Sequence, residues 1–156
     1  MPTTDVVLRP LAKHELGTAV LLRALMNREL NGTDPDVDYP GWRERFVSFF
    51  AARLEVERAA IFLAESDSRA IGLASVYFGS NHRTEIFLRP IAYVTSVYVL
   101  PERRRRGLAT RLTQACIDWA RAKGCDVIRL RASKMGRPVY TRMGFTPSDE
   151  LEIRYD

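Results

Sequence analysis

Arginine, glycine and small residues follow one another over residues 104–109 at a spacing that suits the binding of an anion. Arg104, Gly107 and Ala109 are separated by two residues and then by one, and Thr110 follows with a hydroxyl donor. Where a helix begins at such a turn, its first backbone N–H groups lack intrahelical partners and, together with the helix dipole, form an anion site. The glycine and the small alanine let a phosphate group approach the main chain closely.

The arginines of this segment favour the same interpretation. Residues 103–106 are four successive arginines in a chain of net charge +5, and cations oppose the dipole at a helix start unless an anion is bound. The anion can be a nucleic acid or a phosphorylated small molecule. Because the sequence shows neither an aromatic and basic RNA-binding sheet nor a helix-turn-helix, the small molecule is favoured. An ordinary solvated helix start, or a nucleic-acid or nuclear-localisation patch, is the alternative.

Length and composition limit the class of protein. The 156 residues, 46% of them apolar and 28% charged, are typical of a soluble globular protein and predict one domain over residues 1–156. No apolar run approaches the roughly 20 residues that span a bilayer, and no signal peptide is evident, so we expect a cytoplasmic protein. Cys116 and Cys125 lack metal-ligand spacing, which predicts two small buried hydrophobes and no metal.

Apolar periodicity predicts the element order β-α-α-β-β-β-α-β-α-β. After a strand at residues 6–9, a helix reaching about residue 30 is predicted from the helical spacing of Leu11, Leu16, Val20, Leu21, Leu25 and Met26. A second helix, at residues 42–57, carries the core aromatics Phe46, Phe49 and Phe50. The other predicted elements are strands at 60–64, 71–78 and 89–100, a helix at 106–123, a strand at 127–132, a helix at 138–142 and a last strand at 151–155.

Strand, helix and strand over residues 93–132 form a βαβ unit. Such a crossover implies a pair of parallel neighbours, whereas the hairpin predicted around residues 65–69 implies antiparallel ones. The expected fold class is therefore α/β, with a mixed, mainly antiparallel central sheet flanked by helices.

Two segments, in order, resemble motifs of the GNAT superfamily of N-acetyltransferases. VYVLPERRRRGLAT, residues 97–110, is similar to that family's strand, Arg/Gln-x-x-Gly-x-Gly/Ala turn and helix. RAS at residues 131–133, followed by YTRMGF at 140–145, is similar to its later strand, short helix and Tyr-x-x-x-Gly-Phe ending. The resemblance is specific over about residues 93–146 and, through the element order, extends loosely to the whole chain.

The resemblance implies a sheet that is splayed at a central parallel strand pair, with the pantetheine arm of acetyl-coenzyme A in the gap. Main-chain groups of Val97 and Val99 would bond that arm, and the turn would hold the pyrophosphate. Ser133 or Lys134 stands where many members carry an asparagine. The cofactor-binding residues expected from the resemblance are Val97, Val99, Arg104, Arg105, Arg106, Gly107, Leu108, Ala109, Thr110 and Ser133.

By the same resemblance, an amine attacks the acetyl group directly and Tyr140 is the general acid that protonates the departing thiolate. A core aromatic with a satisfied hydroxyl is the alternative for Tyr140. Some relatives place a glutamate on the strand that here covers residues 127–131, which contains no acid. Since an alkylamine holds its proton at pH 7, a base is needed, and Glu85 is our first candidate. The other candidates are Glu150, Glu152, His82 and a bound water.

The expected acceptor is a primary amine on a small molecule, with a protein N-terminus or lysine as the alternative. The acidic loop of Asp34, Asp36 and Asp38, followed by Tyr39 and Trp42, can attract a cationic amine or be an ordinary solvated loop. Two other classes stay open, a nucleic-acid-binding module and a coenzyme A-binding sensor without activity. We expect acetyl-CoA and an amine as partners, no nucleic acid or membrane, and we consider a homodimer.

Overall fold

The computed structural model describes residues 5–79 and 90–156. The strands of this part form one mixed sheet in which neighbours along the chain are neighbours in space. The strands are β1 (Val7–Pro10), β2 (Ala59–Ser66), β3 (Arg69–Gly79), β4 (Ile91–Val99) and β5 (Val127–Leu130). Strands β1 to β4 pair antiparallel, and β4 pairs with β5 in parallel. The predicted mixed, mainly antiparallel α/β sheet is confirmed.

Helices cover both faces of the sheet. They are α1 (Leu16–Asn31), α2 (Pro35–Asp38), α3 (Trp42–Glu55), α4 (Leu108–Ala122) and α5 (Arg137–Arg142). The ring of Phe49 on α3 contacts Tyr77, whereas Trp119 on α4 contacts Phe78. Because consecutive residues of a strand point to opposite faces, α3 and α4 lie on opposite sides of β3. Within residues 5–79 and 90–156, no helix is long and apolar enough to cross a membrane.

The core lies between the sheet and these helices. Its fully buried side chains include Ile61, Leu63, Ile71, Leu73 and Leu112. The predicted core aromatics of α3 are confirmed, since two are buried and the third packs against the core. Cys116 and Cys125 are buried free thiols, as predicted. Burial raises the pKa of the Cys116 thiol, which keeps it protonated and unreactive.

The hairpin that joins β2 to β3 follows from two residues in the left-handed region. Asp67 and Ser68 have φ of 52° and 63°. Two consecutive positive φ values are typical of the tight turn whose twist matches that of the flanking strands. Polar residues with short side chains tolerate this backbone better than most. The composition of residues 65–69 predicted this hairpin correctly.

The last predicted strand is wrong, because residues 151–155 form no strand. Leu151, Ile153 and Tyr155 are 98%, 76% and 88% exposed. Their alternation suits a strand, but a strand also needs a neighbouring edge to bond, and this segment joins no ladder in the described part of the chain. The parallel pair of β4 and β5 consequently lies at one end of the described sheet and not at its centre.

The inward face of α1 also differs from the prediction. Leu16 and Val20 are buried as expected, but Leu21 and Leu25 are 63% and 41% exposed. Arg23, which the apolar pattern did not include, is half-buried instead. Apolar residues lie on more than one side of this helix, so spacing alone did not determine which side packs against the sheet.

Gly72 tests how tightly the sheet packs against α4. A Cβ at this position would lie 2.9 Å from the Tyr98 carbonyl oxygen and 3.2 Å from Leu112 Cδ1. We therefore expect Gly72→Ala to lower the free energy of unfolding by about 1–3 kcal/mol through overpacking, measured by urea denaturation. Gly17→Ala in α1, where a Cβ meets nothing within 4 Å, is the control and should be neutral or stabilising by up to about 1 kcal/mol. Equal effects of the two substitutions would contradict this account.

Candidate active site

The two parallel strands separate before β4 ends. Their pairing runs from Ile91 and Val127 to Val94 and Leu130, whereas β4 continues to Val99. Beyond Val94, the edge of β4 that faces β5 therefore has no strand beside it in the described structure. This is the splayed sheet that was expected. A cavity of about 1020 Å³ lies along the open edge, bounded by β4, α1, the start of α4 and α5.

A bulge interrupts β4 where it borders the cavity. Thr95 pairs with Ser75 and Tyr98 pairs with Leu73, so two residues of β4 stand opposite one residue of β3. Ser96, one of the two, has φ of 55°, and it lines the cavity with Val97. Bulges bend a strand and re-aim its side chains. The bulge belongs to the ladder with β3 and bends β4 where Ser96 and Val97 line the cavity.

The turn after β4 has the geometry of an anion site. Arg105 and Gly107 both have positive φ, of 64° and 75°, and α4 begins directly after them. The first backbone bond within the helix joins Arg111 N–H to the Gly107 carbonyl, which leaves the N–H groups of residues 108–110 without helical partners. A Cβ built on Gly107 meets no atom within 4 Å, so the space beside this backbone is open. Leu108, buried in the core, anchors the helix start.

Arg104 joins the turn to two other elements. Its Nε donates to the Val99 carbonyl at 2.9 Å, and its Nη2 donates to Glu29 Oε2 of α1 at 2.5 Å. The guanidinium also lies 5.5 Å from the Tyr98 ring centroid. Arg104 lines the cavity, yet much of its donor capacity is used within the protein. It fixes the turn against β4 and α1.

The cavity brings together nearly all the residues expected to bind the cofactor. Those that line it are Val97, Val99, Arg104, Arg105, Gly107, Leu108, Ala109, Thr110 and Ser133. Arg106 is exposed and lies outside this lining, whereas its neighbours Arg104 and Arg105 both belong to it. Sequence patterns did not indicate Met26, Glu29 and Leu30 of α1, which also line the cavity. Glu29 and Leu30 follow Met26 by three and four residues, which places all three on one face of a helix, and this spacing is the signal that could have indicated them.

Tyr140 lies on α5 and lines the same cavity. Its ring packs edge-on against Phe145 with centroids 5.9 Å apart. A Cβ on Gly136 would lie 3.0 Å from Tyr140 Cε2. The absence of a side chain at Gly136 therefore makes room for the Tyr140 ring. Within the described chain, no protein group forms a hydrogen bond with the phenol oxygen, which is therefore available to a ligand. Burial raises the pKa of Tyr140 and keeps the phenol protonated at neutral pH.

Ser133 holds the start of the segment that carries Tyr140. Its hydroxyl oxygen accepts a hydrogen bond from the Gly136 N–H at 3.0 Å, and its carbonyl accepts from Arg137 N–H. A side-chain oxygen three residues before a free N–H is the usual way to satisfy a helix start. Ser133 thus has a structural partner in addition to its place on the cavity wall.

Two of the candidate bases, Glu150 and Glu152, do not line the cavity. Glu150 pairs with Arg129, and Glu152 pairs with Arg131 and Arg154. Hydrogen bonding from Arg154, assisted by Arg131, lowers the pKa of Glu152, which makes it a weaker base. Glu85 and His82 lie outside the described residues.

The acidic loop is largely neutralised by its own neighbours. Asp36 accepts hydrogen bonds from Trp42 Nε1 at 2.7 Å and from Arg43 Nε at 2.8 Å, and these bonds lower its pKa. Asp34 caps α2 by accepting the Asp36 N–H. Trp42 is buried, so it forms part of the core and not an open wall. Arginines thus offset the charges of Asp34 and Asp36, whereas Asp38 is hydrogen-bonded to the Thr33 hydroxyl. Among the described residues, no cluster of His, Cys, Asp or Glu side chains could hold a metal ion.

These features fit a ligand with a pyrophosphate and a long polar arm. The profile of the acetyltransferase (GNAT) family matches residues 22–145, which is most of the chain. The chain belongs to the GNAT family. It is therefore an acetyl-CoA-dependent N-acetyltransferase, and acetyl-CoA is its co-substrate. The open edge of β4 and the free N–H groups of the turn are suited to hold that co-substrate.

Individual relatives agree with the family. An aminoglycoside N(6')-acetyltransferase type 1 of Acinetobacter haemolyticus is 37% identical over 105 residues, which are 64% of this chain and 71% of the relative. A GCN5-related N-acetyltransferase of Ralstonia eutropha JMP134 has the same fold, with a TM-score of 0.82 at 22% identity over 97% of this chain and 99% of that one. An acetyltransferase of Clostridium acetobutylicum, solved with acetyl-CoA, has a TM-score of 0.78 at 25% identity over 96% of each chain.

The two neighbouring arginines of the turn form a matched pair for testing the cavity. Arg105 lines it and Arg106 does not. We expect Arg105→Gln to weaken the binding of coenzyme A by about tenfold, since one charge-assisted contact to phosphate is lost. Arg106→Gln should weaken binding by less than about twofold, because its long-range attraction is screened by salt. Isothermal titration calorimetry at two salt concentrations measures both. Equal losses would mean that the total charge, and not the position, determines binding.

Proposed function

We propose that this enzyme transfers the acetyl group of acetyl-CoA to a primary amine on a small molecule, by direct attack of the amine. The observation that carries the proposal is one shared cavity. The phosphate-type turn at Gly107, the open edge of β4 at Val97 and the phenol of Tyr140 all line it. Acetyl-CoA bound along β4 would thus end beside the phenol of Tyr140, which can donate a proton. The α1 side of the cavity would remain for the acceptor amine.

In this proposal the backbone binds most of the donor. The free N–H groups of residues 108–110 and the Arg105 side chain bind the pyrophosphate, and Thr110 adds a hydroxyl. Val97 and Val99 lie on the open edge where an extended arm would replace the missing strand. The Val99 carbonyl already accepts a bond from Arg104, so we expect Val97 to contribute more of the main-chain contact.

Tyr140 is the proposed general acid. Acetyl-CoA supplies the acetyl group as a thioester, and its sulfur needs a proton when the carbon–sulfur bond breaks. The neutral phenol of Tyr140 supplies that proton from Oη. A thiol pKa near 8.5 lies below that of the phenol, and burial widens the difference, so the transfer depends on placing Oη against the sulfur as negative charge develops there.

The proton of the attacking amine leaves by a different route. We propose Glu85 as the base, with a bound water as the second candidate, since Glu150 and Glu152 are held by arginines. A base on the acceptor side must take this proton before or during attack, because a protonated amine has no lone pair to attack with.

The small-molecule acceptor is supported by the relatives that are named for aminoglycoside acetylation. A panel of amines separates it from the alternatives, a protein N-terminus or a lysine side chain. A chain that binds acetyl-CoA without releasing thiol in the presence of any amine would instead be a sensor.

Replacing the proposed acid tests the mechanism. We expect Tyr140→Phe to lower kcat by about a hundredfold or more, because the proton donor is removed, and to leave the KM for acetyl-CoA nearly unchanged. Tyr39→Phe, at an exposed position away from the cavity, is the control and should keep the full rate. Thiol release measures both.

The pH profile gives a second readout of the same assignment. Because burial raises the pKa of Tyr140, the phenol stays protonated from about pH 6 to 9, so its contribution to kcat is retained there and is lost only above the raised pKa. If kcat fell as the pH was lowered below 9, and this fall was absent in Tyr140→Phe, Tyr140 would act in its ionised form.

We also propose that two copies pair through the carboxyl-terminal segment. Leu151, Ile153 and Tyr155 are exposed apolar residues at every second position, and we propose that they form one apolar row in the pair, whereas Glu150 and Glu152 on the alternate positions are engaged with arginines. Such a row is self-complementary across a two-fold axis, because each copy carries it, and exposed rows of this kind are typical of interfaces.

Light scattering after size exclusion measures the proposed assembly. We expect wild-type protein to be dimeric at micromolar concentration and Leu151→Ser with Ile153→Ser to be monomeric, since the apolar contact is lost. Val37→Ser, at another exposed apolar position, should leave the dimer intact. A monomeric wild-type protein at tens of micromolar would contradict the proposal.

A further inference from the structure

Arg23 occupies an inward position of α1 where an apolar side chain would cost less free energy to bury. It is half-buried, while Leu21 and Leu25 of the same helix face solvent. Taking a charge out of water is unfavourable unless an opposite charge lies beside it. The orientation of α1 therefore places a cation where it weakens the fold.

The partners of Arg23 are neutral. Its Nη1 donates to Ser96 Oγ at 2.6 Å, and its guanidinium carbon lies 5.8 Å from the Phe46 ring centroid. In the described part of the chain, no carboxylate lies within ion-pair distance of it. Arg104 differs in this respect, since it is paired with Glu29. Burial alone lowers the pKa of Arg23, which agrees with a cation that no nearby anion stabilises.

The position of Ser96 determines which ligand Arg23 can meet. Ser96 lines the cavity at the bulge of β4, and Met26, one turn along α1 from Arg23, lines it as well. The phosphate-type turn lies at the other end, beyond Val99, with its own N–H groups and with Arg105. The phosphates of the donor thus have their binding groups elsewhere. Arg23 is not itself part of the cavity lining, but its bond to Ser96 places the guanidinium against a residue of the cavity wall. In the proposed function, the acetyl group and the acceptor would meet at this part of the cavity.

We propose that Arg23 binds a carboxylate or phosphate on the acceptor, so that the preferred substrate is a small amine that carries an acidic group a few atoms from its nitrogen. This specificity rests on the proposed function. Ser96 orients the guanidinium by accepting one of its N–H bonds, and the remaining donors match the geometry of a two-oxygen anion. The anion supplies the negative charge that the protein does not.

The charges around the cavity agree with this assignment. Of the acids of the 34–38 loop, Asp36 is held by Arg43 and Asp34 by Arg28, whereas Asp38 accepts a hydrogen bond from the Thr33 hydroxyl. None of these three acids lines the cavity. The acid that lines the cavity, Glu29, is held by Arg104. Among the described residues that line the cavity, no carboxylate is free to compensate the charges of a polycation, so an acidic amine is favoured over an aminoglycoside.

Matched acceptor pairs test the proposal. Thiol release is measured with amino acids and their carboxamides, with aminoalkyl phosphates and the corresponding amino alcohols, and with aminoglycosides. We expect the wild-type enzyme to prefer the acidic member of a pair by at least about tenfold in kcat/KM. Preference for carboxylate over phosphate, or the reverse, identifies which anion the site takes. Preference for the neutral members or for aminoglycosides would overturn the proposal.

Substitution of Arg23 assigns the preference to this residue. We expect Arg23→Gln to lower kcat/KM for acidic acceptors by about tenfold or more, chiefly through KM, and to leave the neutral members and the KM for acetyl-CoA nearly unchanged. Arg23→Lys should restore part of the loss. Arg28→Gln, further along α1 and exposed, is the control. An equal loss for all acceptors would mean that Arg23 only positions β4.

Two further measurements do not depend on turnover. Calorimetric binding of an acid and amide pair in the presence of coenzyme A should favour the acid for wild-type protein and show no preference for Arg23→Gln. This result would support the anion site even if the proposed acetyl transfer failed, and absence of any preference would overturn it. Thermal unfolding of Arg23→Gln should show an unchanged or higher Tm, because an uncompensated charge is removed. A large decrease would identify Arg23 as a structural residue.

Discussion

Backbone groups at the edge of a sheet require partners, and the separation of β4 from β5 after Val94 leaves such an edge inside the molecule. The surrounding elements are arranged around that edge. Helix α4 starts at its far end, and residues of α1 and α5 line the cavity beside it. The edge can be satisfied by an extended ligand as well as by a strand. A substrate arm with amide groups can thus take the place of a strand, and the acetyl transfer would occur at the end of that arm.

The sequence predicted the parts of the molecule that depend on local geometry. Gly107 has the positive φ that its place before a helix required, and Asp67 and Ser68 form the turn expected between two apolar runs. These residue types tolerate the left-handed backbone, so composition and conformation are directly linked. Tyr140 and the turn are brought to one cavity by the βαβ crossover, which the order of elements already implied.

Features that depend on packing between distant segments were not predictable in the same way. The alternation of Leu151, Ile153 and Tyr155 is compatible with a strand, but a pattern does not determine whether a neighbouring edge is free to bond. On α1, apolar residues on several sides left the orientation of the helix to tertiary contacts, which directed Arg23 inward and Leu21 outward. The bulge at Ser96 depends on its register with β3 and has no signature in a single strand.

The ion pair between Arg104 and Glu29 connects the two halves of the cavity. Arg104 belongs to the turn at the donor end, and Glu29 belongs to the helix that borders the acceptor end. A ligand that moves Arg104 would act on α1 through this pair. By thermodynamic linkage, if binding at the turn changes the affinity for a ligand at α1 by some factor, binding at α1 changes the affinity at the turn by the same factor. This salt bridge is therefore a physical contact through which binding at the two ends of the cavity can be coupled.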